Sequence, residues 1–138
     1  MELRKNAKLK LLKRVPLFSR LSGPELEQIS KVADELDFKE GKELAREGAA
    51  GREFFVIIEG TAEVTRGSRK LRTLSDGDFF GEISLITRLP RTASVTTISP
   101  LRALVITDRS FRRMIGDSPT IQRKVLEALG ERLDTTAP

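Results

Sequence analysis

A chain of 138 residues without cysteine or histidine cannot build a disulfide, a cysteine- or histidine-ligated metal centre, or a Ser-His-Asp triad. Its length fits one compact domain that needs no covalent staple. The formal charge of +5 is modest and uneven, concentrated in Arg4, Lys5, Lys8, Lys10, Lys13 and Arg14 at the start.

Leu3, Ala7, Leu11, Leu12 and Val15 recur at helical spacing and make this basic segment an amphipathic helix, which Pro16 stops. Its charge suits a solvated face, nucleic acid, an anionic lipid surface or an acidic partner. A segment this basic, lacking an apolar core, is not a secretory signal. Ser22 caps a second helix, with Pro24 in its first turn and Glu25 placed to complete a capping box. The apolar stripe of that helix runs Leu26, Ile29, Val32, Ala33 and Leu36.

Beyond Leu36 the period turns strand-like. Glycines at 41, 48, 51, 60, 67, 77 and 81 separate short segments of strand propensity at 43–46, 53–58, 62–65, 70–74, 92–98 and 102–107. Strands this short and frequent predict a roll, sandwich or barrel of about six to eight strands. The longest apolar run, from Phe54 to Ile58, is far too short to span a bilayer. These features predict a soluble, cytoplasmic protein. Asp108 or Ser110 caps a short helix carrying Phe111, Met114 and Ile115. Gly116 and Pro119 break it, and a last helix carries Ile121, Val125, Leu129 and Leu133, with Leu126 beside them. The expected layout is N-terminal helices over 1–36, a β-roll over 37–108 and C-terminal helices over 109–134.

The stretch from Gly77 to Val95 carries the functional signal. Gly81 precedes a segment able to make one helical turn, whose backbone N–H groups at Ile83, Ser84 and Leu85 suit an anion. Arg91 adds a fork of donors matched to phosphate. Thr92 adds a hydroxyl, and Ala93 leaves room for close backbone approach. Glu82 would repel a bare phosphate. It makes sense beside a ligand that has a hydroxyl donor as well, such as a ribose phosphate with a free 2′-OH.

Phe80-Gly81-Glu82-Ile83-Ser84-Leu85 followed by Pro90-Arg91-Thr92-Ala93-Ser94-Val95 resembles the phosphate-binding cassette of cyclic-nucleotide-binding domains, placed here at 80–95. Such domains occur in the catabolite activator protein, in regulatory subunits of cyclic-nucleotide-dependent kinases and in cyclic-nucleotide-gated channels. The likeness extends to Val15-Pro16-Leu17-Phe18, Glu47-Gly48, Phe55-Val56-Ile57-Ile58, Gly60 and the tail from Phe111. It implies a mainly β fold, a double-stranded β-helix (a jelly-roll-like β-roll) with an N-terminal helical bundle and C-terminal B and C helices.

The same resemblance implies the roles of single residues. Gly81 packs on the sugar and Glu82 takes the 2′-OH. Backbone donors near Ile83 and Ser84, the Arg91 side chain and the Thr92–Ala93 backbone take the cyclic phosphate. Val64 and Leu74 flank the base, and Arg132 approaches it from the last helix. Thr92 can meet a guanine 2-amino group, but the breadth of the likeness to bacterial and channel-type modules favours cAMP over cGMP.

The expected function is that of a signal-transduction sensor with no catalytic residue, metal or further cofactor. Ligand would close the last helix about a hinge near 116–119, and an effector protein would read the change, with a homodimer as a further partnership. No DNA-reading element follows the basic helix. The alternative is a β-roll scaffold with an empty cassette, its basic helix docking to a partner, nucleic acid or a membrane surface.

Overall fold

The computed structural model describes residues 3–136, with side chains through Glu131. Two compact units are distinguished. One runs from Ala33 to Arg109, and the other joins the residues up to Val32 with those from Ser110 onward.

The first unit holds eight strands: β1 Asp34–Phe38, β2 Glu43–Ala45, β3 Glu53–Glu59, β4 Ala62–Arg66, β5 Arg69–Leu74, β6 Phe79–Phe80, β7 Ser94–Thr97 and β8 Leu101–Thr107. They form two four-stranded sheets, ordered β1-β8-β3-β6 and β2-β7-β4-β5, with every pairing antiparallel. Most neighbours are distant in sequence, as a jelly-roll-like arrangement requires. One apolar cluster draws on both sheets. Phe55, Ile57, Ala103 and Val105 come from the first, and Ala45, Ala62, Val64, Leu74 and Val95 from the second. β3 is buried throughout Phe54-Phe55-Val56-Ile57, so it reads as a continuous apolar run and not an alternation. Phe55 stacks on Phe80 with ring centroids 4.6 Å apart, and Phe54 meets Phe79 edge-on at 6.1 Å. Each buried phenyl contributes about 2–3 kcal/mol, so β3 anchors the strand that leads into the cassette.

Three expectations are corrected. The second helix does not reach Leu36. α2 covers Gly23–Lys31, and Val32 leaves helical geometry at φ −102°, ψ 6°. Leu36 lies on β1 opposite Ala103 and is 43% exposed. Its helical spacing is overridden by ladder bonds to a strand that arrives much later in the chain. β6 was not expected as a strand; aromatic stacking on β3 holds it. β7 begins at Ser94 and not at 92, because the backbone at Arg91 is paired elsewhere. Its N–H donates to the Ala49 carbonyl and its carbonyl accepts from Gly48 N–H, both at 2.8 Å.

In the other unit α1 spans Lys5–Lys13, a 3₁₀ turn spans Pro16–Phe18, and α4 spans Pro119–Thr136. α3, Asp108–Gly116, starts in the strand unit and runs into this one. The capping box at Ser22 is present. Ser22 N–H donates to Glu25 Oε1 at 2.8 Å and Glu25 N–H to Ser22 Oγ at 3.4 Å. Leu12, Leu17, Phe18, Leu26, Ile29, Phe111, Ile121, Val125 and Ala128 are buried, and Phe18 meets Phe111 at 6.0 Å. The buried stripe of α4 is thus Ile121, Val125 and Ala128. Leu129 is only half-buried, and Leu133 lies outside the described side chains. No helix among the described residues is long and apolar enough to cross a membrane.

Candidate functional site

β6 delivers the chain to Gly81 at φ +85°, in the left-handed region that glycine alone adopts freely. A Cβ there would come within 2.4 Å of Arg91 Nη1 and 2.7 Å of the Glu53 carbonyl oxygen. Gly81 opens a 3₁₀ turn over Glu82–Leu85 in which Glu82, Ser84 and Leu85 are buried. Glu82 is 6% exposed, an unusual setting for a carboxylate.

Arg91 meets that turn from the other side. Its Nη1 donates to Ser84 Oγ at 2.9 Å and its Nη2 to the Glu53 carbonyl at 2.6 Å. Desolvation lowers the guanidinium pKa below its ordinary value, with Glu53 acting in the opposite sense; the group stays a cation at any working pH. Both bonds go to neutral oxygens, and Arg91 forms no ion pair among the described residues. On the far side a Cβ at Gly51 would fall 2.4 Å from Ser84 Oγ and 3.1 Å from Arg91 Nε. Two glycines therefore make room for one partly desolvated cation. An anion offered here would bring a full opposite charge to a cation that otherwise bonds only neutral oxygens, and that attraction is stronger in a partly desolvated site than in bulk water.

The structure brings Gly81, Glu82, Ile83, Ser84, Arg91, Thr92 and Ala93 into one loop-and-turn feature. The donor set differs in one detail from expectation. Ser84 N–H is taken by the Gly81 carbonyl at 3.0 Å, so Ser84 offers its hydroxyl there. Val64 and Leu74 sit in the inter-sheet cluster, and Phe80 and Ala93 pack against that same cluster. Ala62 opposes Leu74 and Val64 opposes Val95, so the two apolar residues and the end of the cassette share one buried cluster. Arg132 lies on α4 but outside the described side chains. Two participants escaped the sequence reading: Gly51, which gave a turn signal only, and the Glu53 carbonyl, which acts through a contact across distant segments that no local pattern announces.

Residues 35–118 match the family described as the cyclic nucleotide-binding domain. The chain is 36% identical over 132 residues to a cAMP-dependent protein kinase regulatory subunit of Mycosarcoma maydis, covering 88% of this chain and 25% of that protein. It is 38% identical over 124 residues to cGMP-dependent protein kinase, isozyme 1, of Drosophila melanogaster, covering 82% and 16%. A CRP-like cAMP-activated global transcriptional regulator of Mycobacterium tuberculosis is 31% identical over 131 residues, covering 91% and 58%. The chain thus spans a quarter or less of the two kinase-system relatives. Among solved structures, the N-terminal domain of a transcriptional regulator from Streptomyces coelicolor A3(2) superposes with a TM-score of 0.84 at 26% identity, covering 91% of this chain and 94% of that one. The homology is to regulatory binding domains and not to an enzymatic domain.

Proposed function

The chain belongs to the cyclic-nucleotide-binding domain family, and on that premise we propose that it binds a cyclic purine nucleotide at the cassette and acts as a regulatory sensor. The observation that carries the reading is Arg91: a partly desolvated guanidinium between two glycines, bonded only to Ser84 Oγ and the Glu53 carbonyl. In this reading Arg91 and the Thr92–Ala93 backbone hold the cyclic phosphate, with Ile83 and Ser84 completing the turn around it. Buried Glu82 accepts the ribose 2′-OH and Gly81 admits the sugar. Val64 and Leu74 flank the base, and Arg132 meets it from α4.

The ligand is cAMP in preference to cGMP. Named relatives include a cAMP-dependent kinase subunit, a cGMP-dependent kinase and a cAMP-activated regulator, so the family alone leaves the base open. Calorimetric titration with cAMP, cGMP and 5′-AMP tests the reading. The expected order is cAMP, then cGMP, with 5′-AMP far weaker. No heat with either cyclic nucleotide at millimolar concentration defeats it.

Binding biases a conformational equilibrium by its differential affinity for two states, and the reading assigns the response to α4. Amide exchange should then show protection in α4 as well as in the cassette on adding cAMP; protection confined to the cassette removes α4 from the mechanism. The output goes to an effector protein. A cytoplasmic setting fits the cysteine-free composition.

The scaffold reading is weaker, because two cations of α1 are engaged internally. Lys5 pairs with Glu27 at 2.9 Å, and Lys13 donates to the Ser19 and Leu21 carbonyls at 3.1 and 2.9 Å.

A further inference from the structure

The β4–β5 hairpin reaches the exit of the cassette through side chains to which the contacts above give no role. Arg66, the last residue of β4, donates from Nε to the Thr92 carbonyl at 3.0 Å. Glu47 Oε1 accepts from Gly67 N–H at the hairpin tip at 2.8 Å, while Glu47 N–H donates to Ser94 Oγ at 2.9 Å. With Thr65 opposite Ser94 in the β4–β7 ladder, these bonds fix the hairpin tip beside residues 92–94.

The Thr92 carbonyl and the Ala93 N–H are the two ends of one peptide unit. That unit is trans and planar, so its C=O and N–H point in opposite directions. A guanidinium bonded to the oxygen fixes the peptide plane and aims the N–H away from the hairpin. It also polarises the unit, because a charge-assisted bond at the oxygen strengthens the donor at the other end. Ala93 N–H has no hydrogen-bond partner among the described residues. Arg66 makes no ion pair among them either, so no carboxylate neutralises the charge it brings to Thr92.

We infer that Arg66 is a positioning residue for the phosphate: through the Thr92 carbonyl it sets the direction and strength of the Ala93 N–H. This role rests on the cyclic-nucleotide reading. It differs from that of Arg91, which meets the anion with its own side chain. Arg66 is solvent-exposed, so its effect is moderate.

The test uses Arg66→Gln and Arg66→Lys in the full chain, with calorimetry for cAMP and cGMP at low and high salt and ¹⁵N–¹H spectra of the ligand-free proteins. Arg66→Gln should weaken both nucleotides by the same factor, about fivefold, because the phosphate and not the base is affected. The Ala93 amide proton should move upfield before any ligand is added. Arg66→Lys should recover part of the affinity, since an ammonium donates to the carbonyl without fixing its plane. The loss should persist at high salt, where a remote charge is screened. The proposal is overturned if Arg66→Gln binds within about twofold of wild type, if the Ala93 amide is unmoved, or if the loss disappears at high salt. If the wild-type chain binds neither nucleotide, the functional reading itself fails and the role of Arg66 falls with it. If wild type binds and Arg66→Gln binds equally well, the role of Arg66 alone is lost.

Discussion

At the scale of single residues, the site places a half-buried guanidinium against the turn that carries a buried carboxylate. Glu82 is 6% exposed, and Arg91 bonds Ser84 two residues after it. A site for a simple anion gains nothing from Glu82, whereas a phosphate joined to a ribose hydroxyl uses both groups. Glu82→Gln is therefore expected to weaken cAMP about tenfold while changing 2′-deoxy-cAMP by less than about twofold. Parallel titrations check this, and equal losses for the two ligands would show that Glu82 does not read the 2′-OH. Much of this was legible in the sequence, because Gly81, Glu82, Arg91, Thr92 and Ala93 lie within one short segment. The acceptors that hold Arg91 in place were not. The Glu53 carbonyl has no sequence identity to read, and Gly51 differs from any other loop glycine only through its approach to Ser84 Oγ.

At the scale of elements, the same division holds between local and distant causes. The capping box at Ser22 was legible because its two partners are three residues apart. The end of α2 was not: Leu36 continues the helical period, yet its backbone pairs with Ala103 on β8. Helix α2 carries a further bond that sequence could not show, from Lys124 Nζ on α4 to Glu25 Oε1 at 2.7 Å. That bond, aided by Ser22 N–H, lowers the Glu25 pKa from 4.5 to about 2. A carboxyl depressed in the folded state contributes stability fully above its unfolded pKa and loses it as pH falls through the folded value. The contribution is thus complete above about pH 4.5 and fades towards pH 2. Chemical unfolding across this window should show a steeper loss in wild type than in Lys124→Gln; equal slopes would dissociate the pair from stability. The 3₁₀ turn makes its own demand. Gly81→Ala places a Cβ against Arg91 and Glu53 at a backbone geometry that costs about 1–3 kcal/mol. It should lower the urea midpoint and abolish nucleotide binding, and a variant as stable and as competent as wild type would contradict the geometry.

At the scale of the whole molecule, the strand unit supplies a fixed frame. β3 anchors β6 through Phe55 and Phe80, β6 delivers Gly81, and the segment of Gly48 and Ala49 clamps the Arg91 backbone. The apolar cluster spanning both sheets includes Val64 and Leu74, so base and phosphate contacts would share one rigid support. In the proposed function this frame holds a cyclic phosphate on Arg91. Calorimetric titration of cAMP into wild type and Arg91→Ala, with thermal unfolding of both in the absence of ligand, tests it most directly. Wild type is expected to bind saturably and Arg91→Ala to lose about 2–5 kcal/mol, at least about 30-fold in affinity, with the variant still unfolding cooperatively. A folded Arg91→Ala that binds cAMP within about twofold of wild type would contradict it.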